Sequence, residues 1–212
     1  MILKVLQAAG LEHDGAEELA HCLLDWIDSD SFFGHPQYGA EDSYYGDLKY
    51  PYEAKDKPYE SMEELLLVKG MTPALLEQIR PYVTVYGSGQ VNMNTAPREV
   101  LAALGFSPLG SGTIKRYLAG PDQKEGTSDD NFFLNVLTLA ADLDTKGGTP
   151  LGNDQKAVLN GLIAASRIGV VSTLFTVRVH AVLEKNGASM DLDAVVDRGG
   201  NIRHCYYSRA KL

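Results

Sequence analysis

From Phe175 the residues Val177, Val179, Ala181 and Leu183 are apolar, while Thr176, Arg178, His180 and Glu184 between them are polar. Strict alternation puts successive side chains on opposite faces, so this stretch reads as a half-buried β-strand. Met190, Leu192, Ala194 and Val196 repeat the pattern, and Ile202 to Tyr207 forms a third run. Asn186-Gly187 and Gly199-Gly200 separate the runs with residues that tolerate the backbone of tight turns. The chain therefore closes in a three-stranded antiparallel meander, whose apolar face needs a helix to cover it.

An early helix is the candidate cover. Ala16, Leu19, Ala20, Leu23, Leu24 and Ile27 recur at helical spacing from about Gly15 to Ile27, with Asp14 and Glu17 as a capping-box variant. A shorter helical piece, Ile2 to Ala9, precedes it. Between Asp28 and about Glu60 periodicity gives way to Gly, Pro, Tyr and acids, the composition of an ordered loop packed by its own aromatic rings. Helices resume at Ser61 to Val68, with Ser61 and Glu64 as a capping box, and at Pro73 to Ile79 behind Thr72. Pro97 to Leu104, Gly112 to Leu118, Phe132 to Ala141 and Gln155 to Arg167 follow. The fold class is α+β.

The 212 residues carry 19 Lys and Arg against 28 Asp and Glu, a formal charge of −9. That balance disfavours phosphate backbones and anionic membranes as partners. The longest apolar runs, such as Ile168 to Phe175, fall well short of the roughly 20 residues that span a bilayer. Between Val5 and Leu48 there is no Lys or Arg but there are ten acids: Glu12, Asp14, Glu17, Glu18, Asp25, Asp28, Asp30, Glu41, Asp42 and Asp47. Asp25, Asp28 and Asp30 sit at a helix C-terminus, where the macrodipole is already negative. A cation would reverse the sign of that repulsion. Asp28, Asp30, Glu41 and Asp42 offer hard oxygens in a carbonyl-rich loop, a donor set suited to calcium. A second candidate loop, Gly120 to Asp130, supplies Asp122, Thr127, Asp129 and Asp130. It lacks the ligand spacing of an EF-hand.

Cys22 and Cys205 are compatible with buried thiols or with one long-range disulfide, and count alone leaves both open. The five histidines show no metalloprotease spacing and no Gly-x-Ser-x-Gly elbow is present, so the sequence does not read as an enzyme. Lys69-Gly70-Met71-Thr72 and Leu104-Gly105-Phe106-Ser107 resemble halves of a helix-hairpin-helix DNA-binding turn. Thr72 and Ser107 replace its second glycine, and the flanks are not strongly basic. A DNA-binding module is the alternative reading.

Taken in order, Leu24-Asp25-Trp26-Ile27-Asp28-Ser29-Asp30, Gly39-Ala40-Glu41-Asp42 with Tyr45, Pro51-Tyr52, Val68-Lys69-Gly70, Pro81-Tyr82-Val83-Thr84, Val91-Asn92-Met93-Asn94-Thr95-Ala96-Pro97 and the closing meander resemble the K-class minor pseudopilins of type II secretion systems. The resemblance implies a pseudopilin core, residues 1–30 and 166–212, in which an N-terminal helix packs on the meander. A helical insertion, residues 31–165, interrupts it. It also implies calcium, at two sites on the acidic residues named above, and I-class and J-class minor pseudopilins as partners at a periplasmic pseudopilus tip, with the secretin or cargo beyond. Nucleic acid is not an expected partner. The family begins with a basic leader and a membrane helix that anchors it in the inner membrane. Neither is present, so the chain reads as the soluble part of a longer protein, with Met1 internal or added.

Overall fold

The computed structural model describes residues 1–146, 150–185 and 187–209. Helix α1 (Ile2–Ala8) leads into α2 (His13–Asp25) and a short α3 (Asp42–Gly46). A 3-10 helix (Glu63–Leu67), α4 (Pro73–Ile79), β1 (Val91–Asn92), α5 (Arg98–Ala103) and α6 (Pro108–Leu118) follow. A second 3-10 turn (Val136–Thr138) runs into α7 (Leu139–Lys146), then α8 (Asn153–Ala164) and β2 (Ile168–Gly169). Strands β3 (Leu174–Val182), β4 (Ser189–Asp197) and β5 (Ile202–Arg209) pair in the order β3-β4-β5, antiparallel throughout. The α+β class and the meander stand as read from the sequence. Asn186 of the first expected turn lies outside the described residues, while Gly200 takes φ +81° in the second.

Two buried clusters hold the helical body. The first joins Leu6, Leu19, Cys22, Leu23 and Trp26 to Tyr45, Leu65, Val68 and the α4 residues Leu75, Leu76 and Ile79. Aromatic rings organise the loop between α2 and the first 3-10 helix. Tyr45, fully buried, stacks on Tyr52 at 5.2 Å and meets the edge of Trp26 at 5.1 Å. The indole Nε1 donates to Glu64 Oε1 (3.2 Å), which is paired with Lys55 Nζ at 2.9 Å. The second cluster gathers Met93, Leu101, Phe106, Ile114, Tyr117, Phe133, Leu139, Leu143, Leu159 and Ile168. Each such side chain contributes about 1.5–3 kcal/mol relative to exposure.

Neither cluster contains a residue of the meander. The apolar face of α2 is spent on α1, α4 and the aromatic loop, so α2 does not cover the sheet as expected. The apolar face of β3 stays open, with Phe175, Val177 and Val179 each more than 40% exposed. The same separation settles the cysteines, both of which are free. Cys22 is buried in the first cluster, where burial pushes its thiol up to about 11, and Cys205 is exposed on β5.

Two local expectations change, and one pairing is new. Helix α2 starts at His13 behind Glu12, and neither Glu12 nor Asp14 caps it through a side chain. Phe132 to Leu134 belongs to no helix, because Asn94 clamps Phe133 through both its backbone N–H (2.8 Å) and its carbonyl (2.9 Å). The parallel pair β1–β2, Val91 with Ile168 and Asn92 with Gly169, had no local signal.

Both hairpin-like turns place their glycine at positive φ, Gly70 at +84° and Gly105 at +107°. Where a DNA-binding hairpin has its second glycine, Thr72 Oγ1 accepts from Leu75 N (3.2 Å) and Ser107 Oγ from Gly110 N (3.1 Å). These hydroxyls cap α4 and α6, with Pro73 and Pro108 in the first turns, and occupy amides that would otherwise face a phosphate. Thr72→Ala is expected to cost about 1 kcal/mol, a fall of about 2–4 °C in a thermal melt followed by circular dichroism. No helix among the described residues is long and apolar enough to cross a membrane.

Candidate metal centre

Asp25 ends α2 on its buried face, three residues after Cys22, and is fully buried. A carboxylate there needs partners, and the following loop supplies them. Asp25 Oδ1 accepts from Gly34 N at 3.2 Å and Oδ2 from Ala40 N at 3.1 Å. The loop comes this close because Gly39 adopts φ +126°, and a Cβ there would overlap Asp25 Oδ2. The next residue but one, Glu41, precedes α3 and is only 3% exposed.

Asp25, Asp28 and Glu41 each place a carboxylate oxygen within 4.8 Å of the other two. Glu41 Oε1 and Asp28 Oδ1 are buried with no hydrogen-bond partner among the described residues. Burial, and then the charges of Asp25, Asp28, Asp56 and Asp30, push the Glu41 carboxyl up to about 7. Asp28 is raised by burial and by Asp30, Asp25 and Asp56, against one backbone hydrogen bond that lowers it. Every charged group acting on either residue is an acid. Lys69, which approaches Gly39 O at 3.5 Å, is committed to Glu18 at 2.9 Å.

Buried carboxylate oxygens without donors are costly unless a cation takes them. The donors are hard carboxylate oxygens, which fit calcium better than softer metals. Of the residues expected from the sequence, Asp28 and Glu41 meet. Asp30 Oδ1 instead accepts from Phe32 N (2.9 Å) at the surface, and Asp42 Oδ1 from Ala54 N (2.7 Å). Asp25 joins in their place. The signal for it was its position on the core face of α2, where an unpaired acid demands a partner.

The second loop does bring its four residues together. Thr127 Oγ1 lies 3.4 Å from Asp122 Oδ1, 2.6 Å from Asp129 Oδ1 and 3.3 Å from Asp130 Oδ1. Backbone amides serve the same acids: Asp122 N reaches Asp129 Oδ2 (2.9 Å), Lys124 N reaches Asp122 Oδ1 (2.8 Å) and Gly126 N reaches Asp130 Oδ2 (2.7 Å). The Thr127 hydroxyl and the Asp122 amide hold Asp129 below the usual carboxylate range. This loop is exposed and its carboxylates have donors, so it lacks the orphaned oxygens that mark the first cluster.

Residues 1–88 match the family model described as type II secretion system (T2SS), protein K. Type II secretion system protein K of Aeromonas hydrophila is 34% identical over 128 residues, which is 58% of this chain and 38% of that protein. The Klebsiella pneumoniae protein K is 34% identical over 104 residues, 48% of this chain and 31% of its own length. The chain thus spans under two fifths of the curated relatives it matches. Its fold matches a chain of the crystal structure of the GspK-GspI-GspJ complex from enterotoxigenic Escherichia coli, with a TM-score of 0.73 at 19% identity, over 100% of this chain and 69% of that one. The acidic loop after α2 lies inside the segment that matches the type II secretion system protein K family model, and the fold is shared along the whole chain with that solved structure.

Proposed function

We propose that this chain is a structural part of a type II secretion pseudopilus. In this reading it joins the I-class and J-class pseudopilins at the periplasmic tip and supports export of folded proteins. The observation that carries the reading is the match of the whole chain to one subunit of a three-protein complex, together with the family match over residues 1–88. The parent protein is anchored in the inner membrane, and the role is mechanical rather than catalytic.

Calcium is the second half of the proposal. Asp28 and Glu41, with Asp25 beside them, would hold the ion at the end of α2. The orphaned oxygens and the one-sided acidic field support that assignment. When bound, calcium supplies positive charge and no reaction chemistry. The chain's own part is to tie α2, through Asp25, to the loop that leads into α3. Asp122, Asp129, Asp130 and Thr127 are the residues of a second, weaker calcium loop.

The test mixes this chain with the I-class and J-class pseudopilins of the same genome in calcium buffer and follows them by size-exclusion chromatography with light scattering. A ternary peak is expected. Three separate peaks at micromolar concentration, from proteins that are each folded, would remove the assembly reading.

A further inference from the structure

The meander and the helical body meet along a seam flanked by open clefts. Ala194 and Val195 are the buried hydrophobic residues of the sheet among those described, and the side of the body that faces them is mainly the irregular segment 81–88, with Glu63 of the first 3-10 helix and Val100 of α5 beside it. Solvent-open clefts of about 370, 450, 570 and 850 Å³ follow this line. They lie between Thr84, Tyr86, Glu60 and Trp26 on the body and Thr173, Val195, His204 or Tyr206 on the sheet side.

Apart from buried Ala194 and Val195, the contacts across the seam are few, and most of them are polar. Tyr86 Oη lies 2.8 Å from Tyr206 Oη, and the Tyr86 ring rests on His204 with centroids 4.8 Å apart. The covalent crossing runs from β2 to β3. On the body side Asn94 Nδ2 holds Val170 O (2.9 Å) and Asn92 Nδ2 holds Ser172 Oγ (2.8 Å). On the sheet side Arg198 reaches back, its Nε to Ser172 O (2.9 Å) and its backbone N to Thr173 O (3.2 Å). Ser172 is therefore gripped from both sides, and residues 171–173 between the grips belong to no helix or strand.

Two bodies joined by a small polar interface and one short connection move relative to each other unless something large and apolar fixes them. We infer that the meander is hinged on the helical body at Val171–Thr173 and latched closed by Tyr86 against Tyr206 and His204. The seam then opens as a unit, the strands keeping their register while the body swings. The hinge lets the helical body reorient while the sheet stays fixed to whatever it is assembled on.

The experiment places spin labels at Glu99→Cys on α5 and Glu184→Cys beyond β3, both exposed positions, in the intact chain carrying Cys205→Ser. Buried Cys22 remains unlabelled. Pulsed electron–electron distance measurement is expected to show one main distance and a minor, broader one. Tyr206→Phe removes the latch hydrogen bond and keeps the ring, so the minor fraction should rise about fivefold, the factor expected for one hydrogen bond of average net strength. Tyr86→Phe cuts the same bond from the other side and should give the same rise. A broad distribution that neither variant changes overturns the latch. A single narrow one that neither changes overturns the hinge as well.

Discussion

Removing calcium with EGTA is expected to lower the melting temperature by about 5–10 °C. An ion that binds only the folded chain at a hundred times its dissociation constant stabilises it by about 2.7 kcal/mol. For a chain of this size each kcal/mol moves the midpoint by about 2–4 °C. Two substitutions make the result specific. Glu41→Gln removes an acid that is buried without a donor beside two others. The variant should melt above the parent in EGTA, below it in calcium, and respond little to the ion. Asp25→Asn should lower the midpoint in both buffers. Its carboxylate takes one amide on each oxygen, and the Asn amide group would turn a donor toward one of those donors. Identical melting with and without chelator, together with no metal by elemental analysis, would rule out the calcium centre.

Gly39→Ala should be nearly as damaging with no change of charge. An Ala at φ +126° is strained by about 1–3 kcal/mol. Its methyl would also displace Asp25 Oδ2 and press on Phe33 Cδ1, 3.2 Å away. Asp25 then loses the Ala40 amide, and an unsatisfied buried group of this kind costs a further 1–3 kcal/mol or so. The expected fall in midpoint is about 10 °C, with a blunted response to calcium. Gly46→Ala is the control: Gly46 has space around it and ordinary φ, so the change should be neutral or slightly stabilising. Equal melting of Gly39→Ala and parent would show that the loop does not need its close approach to Asp25.

Much of the fold is legible where the signal is local. Alternation in β3 and β4 needs only the two faces of a strand, and Thr72-Pro73 announces α4 at the residue where it starts. Failures occur where distant residues decide. The stretch at Phe133 has helical spacing but is held out of a helix by Asn94, 39 residues away. β1 and β2 are two residues each and exist through their pairing and the bonds of Asn94 and Met93. The metal centre divides in the same way. Asp28 and Glu41 stood out because nothing nearby neutralises them, whereas Asp25 is recognised through amides 9 and 15 residues further on. Asp30 and Asp42 share the composition of the site, but turn and loop amides take them first.

The bare face of β3 has a practical side. A nine-residue strand with apolar side chains uncovered and its outer edge unpaired among the described residues is a template on which further strands can add. Concentrated solutions of this chain alone are therefore expected to self-associate slowly through the meander while the helical body stays folded. Purification should favour low concentration, and a thioflavin signal that grows with time would report the edge at work.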